Sequence, residues 1–181
     1  MLISKYGGDD ILEKIEMYED VIGRDIPEKL RNFLKKYNGG DTPKTKFRCN
    51  HVSSDIKAFY GLGRVRYSYD DVKILQFEGC SYLPFGCDSF GNEIVMEMDS
   101  EEIYFKDHEA GNVRKISDTL ENFIDSCESD LINSSSLKSV EERENELIKK
   151  GRASVITDAL RDMWKAEIEK YSSIKQEELI L

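Results

Sequence analysis

Three consecutive residues near the middle of the chain could carry acid–base chemistry. Asp107, His108 and Glu109 place a histidine between two carboxylates, an arrangement that can tune the imidazole as a general base. Neighbouring residues at the end of a strand point to opposite faces, however, so the carboxylates need not flank the ring. We therefore expect a structural, hydrogen-bonding role for His108.

A second group consists of three carboxylates, Asp88, Glu93 and Glu97, which could supply the acid and base of a glycoside hydrolase. The sequence gives no distance between them, and acids on a hairpin are usually solvated. A hydrolase that uses Asp88, Glu93 or His108 stays an alternative, and it requires these groups to converge in a concave pocket.

Other common catalytic and cofactor motifs are absent from the sequence. It has no phosphate loop, no zinc-protease helix and no Gly-x-Ser-x-Gly elbow, and residues 61–66 lack the last glycine of the dinucleotide fingerprint. The four cysteines lack metal-site spacing and are expected to be free thiols in a reducing compartment: Cys49, Cys80, Cys87 and Cys127. We expect no catalytic residue, no metal and no cofactor.

The charge of the chain restricts its partners. Its 181 residues include 26 Lys+Arg and 36 Asp+Glu, a net charge of −10, and nine of the acids lie in residues 78–109. Nucleic acids and anionic membranes attract basic surfaces, so we expect neither as a direct partner. Without an apolar run of about 18 residues or an apolar signal segment, a cytoplasmic protein is expected. The acidic excess is either a solvated face or a docking surface for a basic partner.

Hydrophobic periodicity predicts the elements that position these residues. Helices are expected over about residues 9–22 and from Pro27 to Tyr37, and short strands at 47–52 and 56–60. A short helix is expected at 69–77. The alternating segments 93–98 and 103–106 predict a hairpin with an acidic turn at residues 99–102. A third helix is expected over 117–130, with a capping box formed by Asp118 and Glu121.

A polar break at residues 133–136 predicts a boundary between a domain of residues 1–132 and a helical C-terminal extension of residues 133–181. Ser139 and Glu142 have capping-box spacing, and helices are expected over 139–150 and 152–172. The second helix has a wide apolar stripe: Ile156, Leu160, Met163, Trp164, Ile168 and Tyr171. Such a stripe must be covered, either by the main domain or by a second copy in a homodimer, and Trp164 is the candidate for self-association.

Four sequence blocks in order carry a family resemblance: residues 26–40, 82–93, 103–109 and 120–124. Together they resemble the SUKH superfamily, the Smi/Knr-like domain of fungal cell-wall-synthesis regulators and many bacterial immunity proteins, over about residues 9–130. The resemblance implies an α+β fold, with a central, mainly antiparallel sheet flanked by helices. It also implies a binding protein, not an enzyme.

Most residues that match the family motif are expected to shape the backbone. They are Pro27, Gly39, Gly40, Pro84, Gly86, Asp88, Gly91, Asn92, Asp107 and His108. Two positions depart from the family pattern: Phe90 lies where glycine is often tolerated, and Lys106 lies where an aromatic residue is common.

For function, the resemblance implies an immunity protein that neutralises a cognate toxin by stoichiometric binding. The toxin is expected to be a nuclease, whose basic cleft an acidic inhibitor can occupy. The expected contact residues are Asp99, Glu101, Glu102 and Glu109. The alternative is a regulatory scaffold like the fungal members, which would bind an endogenous partner and regulate cell-wall synthesis.

Overall fold

An antiparallel sheet organises most of the chain, as the family resemblance implies. The structure, a computed structural model, describes residues 1–132 and 137–181. It contains two units, treated separately below: unit 1 is Met1–Asp130 with Gln176–Leu181, and unit 2 is Leu131–Lys175. The predicted break at residues 133–136 lies outside the described residues. The last six residues, which the sequence analysis assigned to the helical extension, form part of unit 1.

Unit 1 contains ten strands and three helices. In chain order its elements are β1 (Leu2–Lys5), α1 (Ile11–Ile22), α2 (Glu28–Tyr37), β2 (Gly40–Cys49), β3 (Val52–Phe59), β4 (Leu75–Phe77), β5 (Cys80–Cys87), β6 (Glu93–Glu97), β7 (Ile103–Lys106), β8 (Val113–Ser117), α3 (Leu120–Asp125), β9 (Cys127–Ser129) and β10 (Glu177–Glu178). The sheet order is β10-β1-β2-β3-β5-β6-β7-β8, with β4 paired to β5 and β9 to β2, and the pairs are antiparallel. The predicted α+β fold is confirmed.

Helices α1 and α2 form where the apolar periodicity predicts them. Pro27 differs from its predicted place in the first helical turn: its ψ of 138° is extended, and it caps α2 from outside. The family glycines at the end of α2 are required by close backbone approach. A Cβ on Gly39 would lie 2.5 Å from the carbonyl oxygen of Tyr60, and one on Gly40 would lie 2.6 Å from that of Ser4. These two positions bring β2 directly against its neighbours.

Two short elements differ from their predictions. The strand expected at 47–52 is interrupted, because Asn50 and His51 have positive φ angles and form the β2–β3 turn. The helix expected at 69–77 is a single 3₁₀ turn, Tyr69–Asp71, followed by β4. Pairing of β4 with β5 satisfies the backbone groups that a longer helix would have satisfied internally.

The third helix is shorter than predicted and has a different cap. Thr119, not Asp118, accepts the N-terminal hydrogen bond, from the backbone N–H of Asn122 at 3.1 Å. The helix ends at Asp125, and Cys127–Ser129 form β9 against residues 45–47 of β2. The apolar spacing of the helix continues to Cys127, which is buried as a strand residue.

Unit 2 consists mainly of α4 (Val140–Lys149) and α5 (Asp158–Ser173). The predicted capping box is present: Glu142 N donates to Ser139 Oγ at 3.2 Å, and Ser139 N donates to Glu142 Oε2 at 2.7 Å. The second predicted helix begins later than expected, at Asp158, so Ile156 precedes it. Among its described residues, unit 2 has no buried side chain.

Candidate partner-binding surface

The acidic β6–β7 turn is shaped by a carboxylate that precedes it. Glu97 is buried, and its Oε2 accepts hydrogen bonds from the backbone N–H groups of Asp99 and Ser100. Glu101 has a φ of 59°, which completes the turn. The turn therefore holds Asp99 and Glu101 in fixed backbone positions at one end of the sheet.

Cations from other elements pair with this turn. Arg24 follows α1, and its Nη2 lies 2.6 Å from Oδ1 of Asp99, whose side chain is still 77% exposed. Glu102 accepts hydrogen bonds from Lys115 Nζ and, at 2.9 Å, from Tyr104 Oη. The hydrogen bond from Lys115 is the main cause of the lowered pKa of Glu102, and the hydrogen bond from Tyr104 lowers it further. Of the predicted contact residues, Glu102 is thus engaged within the fold and Asp99 is only partly engaged.

The ion pairs extend from this turn to α3. Lys115 also lies 2.6 Å from Asp118, and hydrogen bonds to Asp118 and Glu102 raise the pKa of Lys115. Lys29, at the start of α2, pairs with Glu121, and this hydrogen bond lowers the pKa of the Glu121 carboxyl. Carboxylates and cations from four elements therefore meet at the end of the sheet that carries the acidic turn.

A polar cleft of about 650 Å³ lies beside the acidic turn. It is lined by Glu19, Arg24, Asp25, Ile26, Pro27, Glu28, Arg31 and Met98. Glu19 binds Arg31, with Oε1 3.1 Å from Nε, and accepts a hydrogen bond from Ile26 N. Because most of the lining is charged, the cleft suits a polar or charged segment of a partner better than an apolar one.

Glu109 lies away from the other three predicted contact residues. It belongs to the β7–β8 turn, whereas residues 99–102 form the β6–β7 turn, so the two turns lie at opposite ends of β7. Its side chain is 85% exposed. Asp107 Oδ1 fixes this second turn by accepting hydrogen bonds from Glu109 N and Ala110 N, both at 2.9 Å. The structure thus brings Asp99, Glu101 and Glu102 together and leaves Glu109 apart.

Asp88 and Asn92 connect the β5–β6 turn to the neighbouring β7–β8 turn. The Asp88 carboxylate is buried and accepts hydrogen bonds from Ser54 Oγ, Phe90 N, Asn92 N and Asn92 Nδ2, at 2.7–2.8 Å. Asn92 Oδ1 accepts a hydrogen bond from His108 N at 3.0 Å and lies 2.9 Å from His108 Nδ1. His108 therefore joins two turns, and Phe90 is left 69% exposed at the tip of one of them.

Each of the three carboxylates named for the hydrolase alternative makes a contact within the fold. Asp88 holds its own turn, Glu93 pairs with Lys106 at 2.8 Å, and Glu97 holds the acidic turn. A cavity of about 390 Å³ adjoins Glu93, and neither Asp88 nor Glu97 lines it. Within residues 1–132 and 137–181, no group of three or more His, Cys, Asp or Glu residues could hold a metal ion. No described helix has both the length and the apolar character to cross a membrane.

Sequence reasoning missed the cations that pair with the acidic surface. Arg24 is 75 residues from Asp99, and Lys29 is 92 residues from Glu121. Pairs so distant leave no local pattern in a single sequence. The α1–α2 turn and the β6–β7 turn come together only in the folded chain, where Arg24 pairs with Asp99.

In unit 2, Trp164 is half-buried and packs under a cation from α4. The Arg143 guanidinium lies 5.9 Å from the centre of the indole ring and also pairs with Glu167 at 2.7 Å. The two helices are therefore joined through Arg143, on one face of Trp164.

Comparison with known proteins yields one family. The family model described as SMI1-KNR4 cell-wall, SUKH_6, matches residues 12–124, which is more than half of the chain. The matched range contains the β6–β7 and β7–β8 turns, the cleft and every predicted motif residue from Pro27 to His108. Among curated proteins and among solved structures, none matches the chain significantly.

Proposed function

Because the chain belongs to the SMI1-KNR4 (SUKH_6) family, we propose that it is a non-catalytic immunity protein that binds and neutralises a cognate polymorphic toxin. Family membership supports an immunity or a Smi/Knr-like role. The choice of immunity rests on charge: unit 1 holds 28 acidic and 17 basic residues, a net charge of −11. A toxin that binds nucleic acid presents a basic cleft. An inhibitor with a large negative net charge associates rapidly with such a cleft.

The β6–β7 turn is the proposed contact. Asp99 is mostly exposed and Glu101 follows it in a fixed turn, beside a cleft lined with charged residues. A basic toxin segment could bind these carboxylates and enter the cleft. Arg24 would then exchange its partner Asp99 for another cleft carboxylate, such as Asp25 or Glu28.

The first test is recovery of the partner. Tagged protein is purified from its native host at low and at high salt, and bound proteins are identified by mass spectrometry. The proposal expects a stoichiometric toxin domain that high salt releases. Recovery of only housekeeping or cell-envelope proteins would contradict it.

The second test uses the recovered toxin domain and charge reversal. Asp99→Lys/Glu101→Lys is expected to weaken inhibition at low salt by about tenfold or more. Glu13→Lys/Glu16→Lys on α1 changes the net charge equally at two exposed positions and serves as the matched control. Glu109→Lys tests the opposite end of the sheet. An equal loss of inhibition in the two double variants would show that net charge causes the effect. The β6–β7 turn would then not be the contact.

The family description itself favours a second candidate, a regulatory scaffold that binds an endogenous partner and acts in cell-wall synthesis. The scaffold would also be a non-catalytic binding protein. It predicts that purification from the host recovers a cell-envelope or pathway protein and no toxin domain.

A further inference from the structure

Residues 176–181 lie along one edge of the unit 1 sheet. Strand β10 pairs with β1 at two positions, and Leu179 N donates a hydrogen bond to Met1 O at 2.9 Å. Lys5 Nζ lies 3.0 Å from Glu177 Oε1, in an ion pair that is close to half exposed and contributes little to stability. The exposed edge of a sheet can accept a further strand through its unpaired backbone groups. Strand β1 is therefore a strand acceptor, and residues 176–181 occupy it.

Helix α2 supplies a second wall beside this edge. Tyr37 Oη accepts a hydrogen bond from Ile180 N at 2.9 Å and donates one to Ile180 O at 3.0 Å. Lys36 Nζ donates to the same carbonyl at 2.8 Å. These contacts go to backbone atoms of Ile180, so they fix where a strand lies without selecting its side chain. We call the edge of β1 together with Lys36 and Tyr37 the strand groove.

Residues 176–181 fill the strand groove incompletely. A cavity of about 160 Å³ remains beside Ile180 and Leu181, which are 58% and 43% exposed. Two aromatic rings and four polar side chains complete its lining: Phe33 and Tyr37, with Lys29, Asn32, Lys36 and Glu121. A cavity of about 150 Å³ with an apolar lining can hold a benzene-sized group. A strand with an aromatic side chain at the position of Leu181 would therefore make contacts that the present occupant does not make.

The cations of the strand groove indicate the charge of the strand that it suits. Lys5 pairs with Glu177, and Lys36 lies 5.3 Å from the centre of the Tyr37 ring. In the acidic unit 1, these two cations favour an acidic strand over a basic one. The present occupant is held by two paired positions and by one buried side chain, Leu179, which is 4% exposed. Local opening of so small an element is enough to vacate the groove.

We propose that the strand groove binds an extended peptide strand of a partner, and that residues 176–181 are its internal competitor. The ligand has an acidic residue two positions before a leucine and an aromatic residue two positions after it. It displaces residues 176–181 and pairs antiparallel with β1. The residues that hold the strand do not include any from the β6–β7 turn or from the cleft beside it. The proposal therefore holds or fails independently of the immunity function.

The test measures the binding of labelled peptides to the full chain by fluorescence anisotropy. The probe is a synthetic peptide of residues 176–181. In the chain, Leu179→Asp is expected to release the internal competitor, because it places a charge at a buried position. This variant should bind the peptide about tenfold more tightly than the wild type, or better, since the wild-type segment competes at a high effective concentration. Met17→Asp is the matched control, because Met17 is 62% exposed on α1, and it should behave as the wild type.

Two further comparisons test the walls of the strand groove. Adding Tyr37→Phe to the Leu179→Asp chain removes both hydrogen bonds to the strand backbone and should weaken peptide binding by about tenfold. A peptide with Leu181→Phe should bind at least about threefold more tightly than the unchanged peptide, because its ring enters the cavity. A peptide with Leu179→Asp should not bind. Circular dichroism checks that each chain is folded.

Hydrogen exchange of the wild-type chain keeps the proposal testable if Leu179→Asp does not fold. The Leu179 amide should exchange by local opening, faster than the amides of β6 in the same molecule. Exchange of the two at one rate would overturn the role of residues 176–181 as a competitor. A folded Leu179→Asp chain that does not bind the peptide, or a wild type that binds it equally well, would overturn the proposal. No gain for the Leu181→Phe peptide would overturn the aromatic preference.

Discussion

Replacing Asp88 by alanine should destabilise unit 1 because one buried carboxylate organises the β5–β6 turn. The side chain is 2% exposed and accepts four hydrogen bonds, two of them from the backbone N–H groups of Phe90 and Asn92. Asn92 in turn binds His108, so the loss extends to the neighbouring turn. The carboxylate is therefore expected to contribute to stability and not to chemistry.

The magnitude follows from these contacts. Each hydrogen bond to a charged group contributes about 1.5–3 kcal/mol, but bonds to a single carboxylate are coupled and do not add. Three of the four donors belong to the turn residues Phe90 and Asn92 and can reach water after relaxation. We therefore expect Asp88→Ala to lower the free energy of unfolding by about 3 kcal/mol. Asp88→Asn keeps one acceptor oxygen but places an amide against the Asn92 amide, and should cost about half as much.

The assay is urea unfolding followed by circular dichroism, with the midpoint and slope fitted for each variant. Glu109→Ala is the control, because a highly exposed residue in a turn should change stability by less than about 0.5 kcal/mol. A loss below about 1 kcal/mol for Asp88→Ala would refute the argument that the carboxylate holds the turn. Full stability of Asp88→Asn with loss of partner binding would instead make Asp88 a contact residue.

Two further predictions concern α3 and the thiols. Thr119→Ala removes the N-cap of α3 and should lower the free energy of unfolding by about 1 kcal/mol in the same urea assay. Asp118 is the residue that the sequence predicted as the cap. Asp118→Ala should change the free energy of unfolding by less than half as much, because it removes only a surface ion pair. At pH 8 Cys80, which is exposed, should react with a thiol reagent, and Cys127 should not, because burial raises the pKa of Cys127 to about 12 and keeps its thiol protonated. The native protein is labelled and its peptides are analysed by mass spectrometry. Modification of the Cys127 thiol would contradict the second prediction.

The sequence predicts those elements whose signals are local. Helices α1, α2 and α4 have amphipathic spacing and recognisable ends, and the β6–β7 hairpin alternates in polarity. The α+β fold itself was implied by the family resemblance, and these elements agree with it. They also place the acidic turn at the end of a hairpin, where the structure has it.

Some elements form only because they pair with residues far away along the chain. A single sequence does not predict these elements. Cys127 continues the helical spacing of Leu120 and Phe123, yet it lies in β9 because residues 45–47 of β2 offer backbone partners there. Strand β10 forms for a similar reason, with Leu179 buried and Tyr37 Oη bonded to both the N–H and the carbonyl of Ile180. Local propensity cannot show such partners, because they lie far away along the chain.

The structure also changes how the acidic turn should act in binding. Asp99 is paired with Arg24 and Glu102 with Lys115, so the local field of the turn is weaker than its formal charge. The net charge of −11 is spread over unit 1, and its field reaches a partner across about one Debye length, 8 Å at physiological ionic strength. Association rate should therefore follow the total charge of unit 1, whereas dissociation rate should follow the contacts of Asp99 and Glu101. Where a partner cation displaces Arg24 from Asp99, affinity should depend on whether the cleft carboxylates can then hold the Arg24 guanidinium.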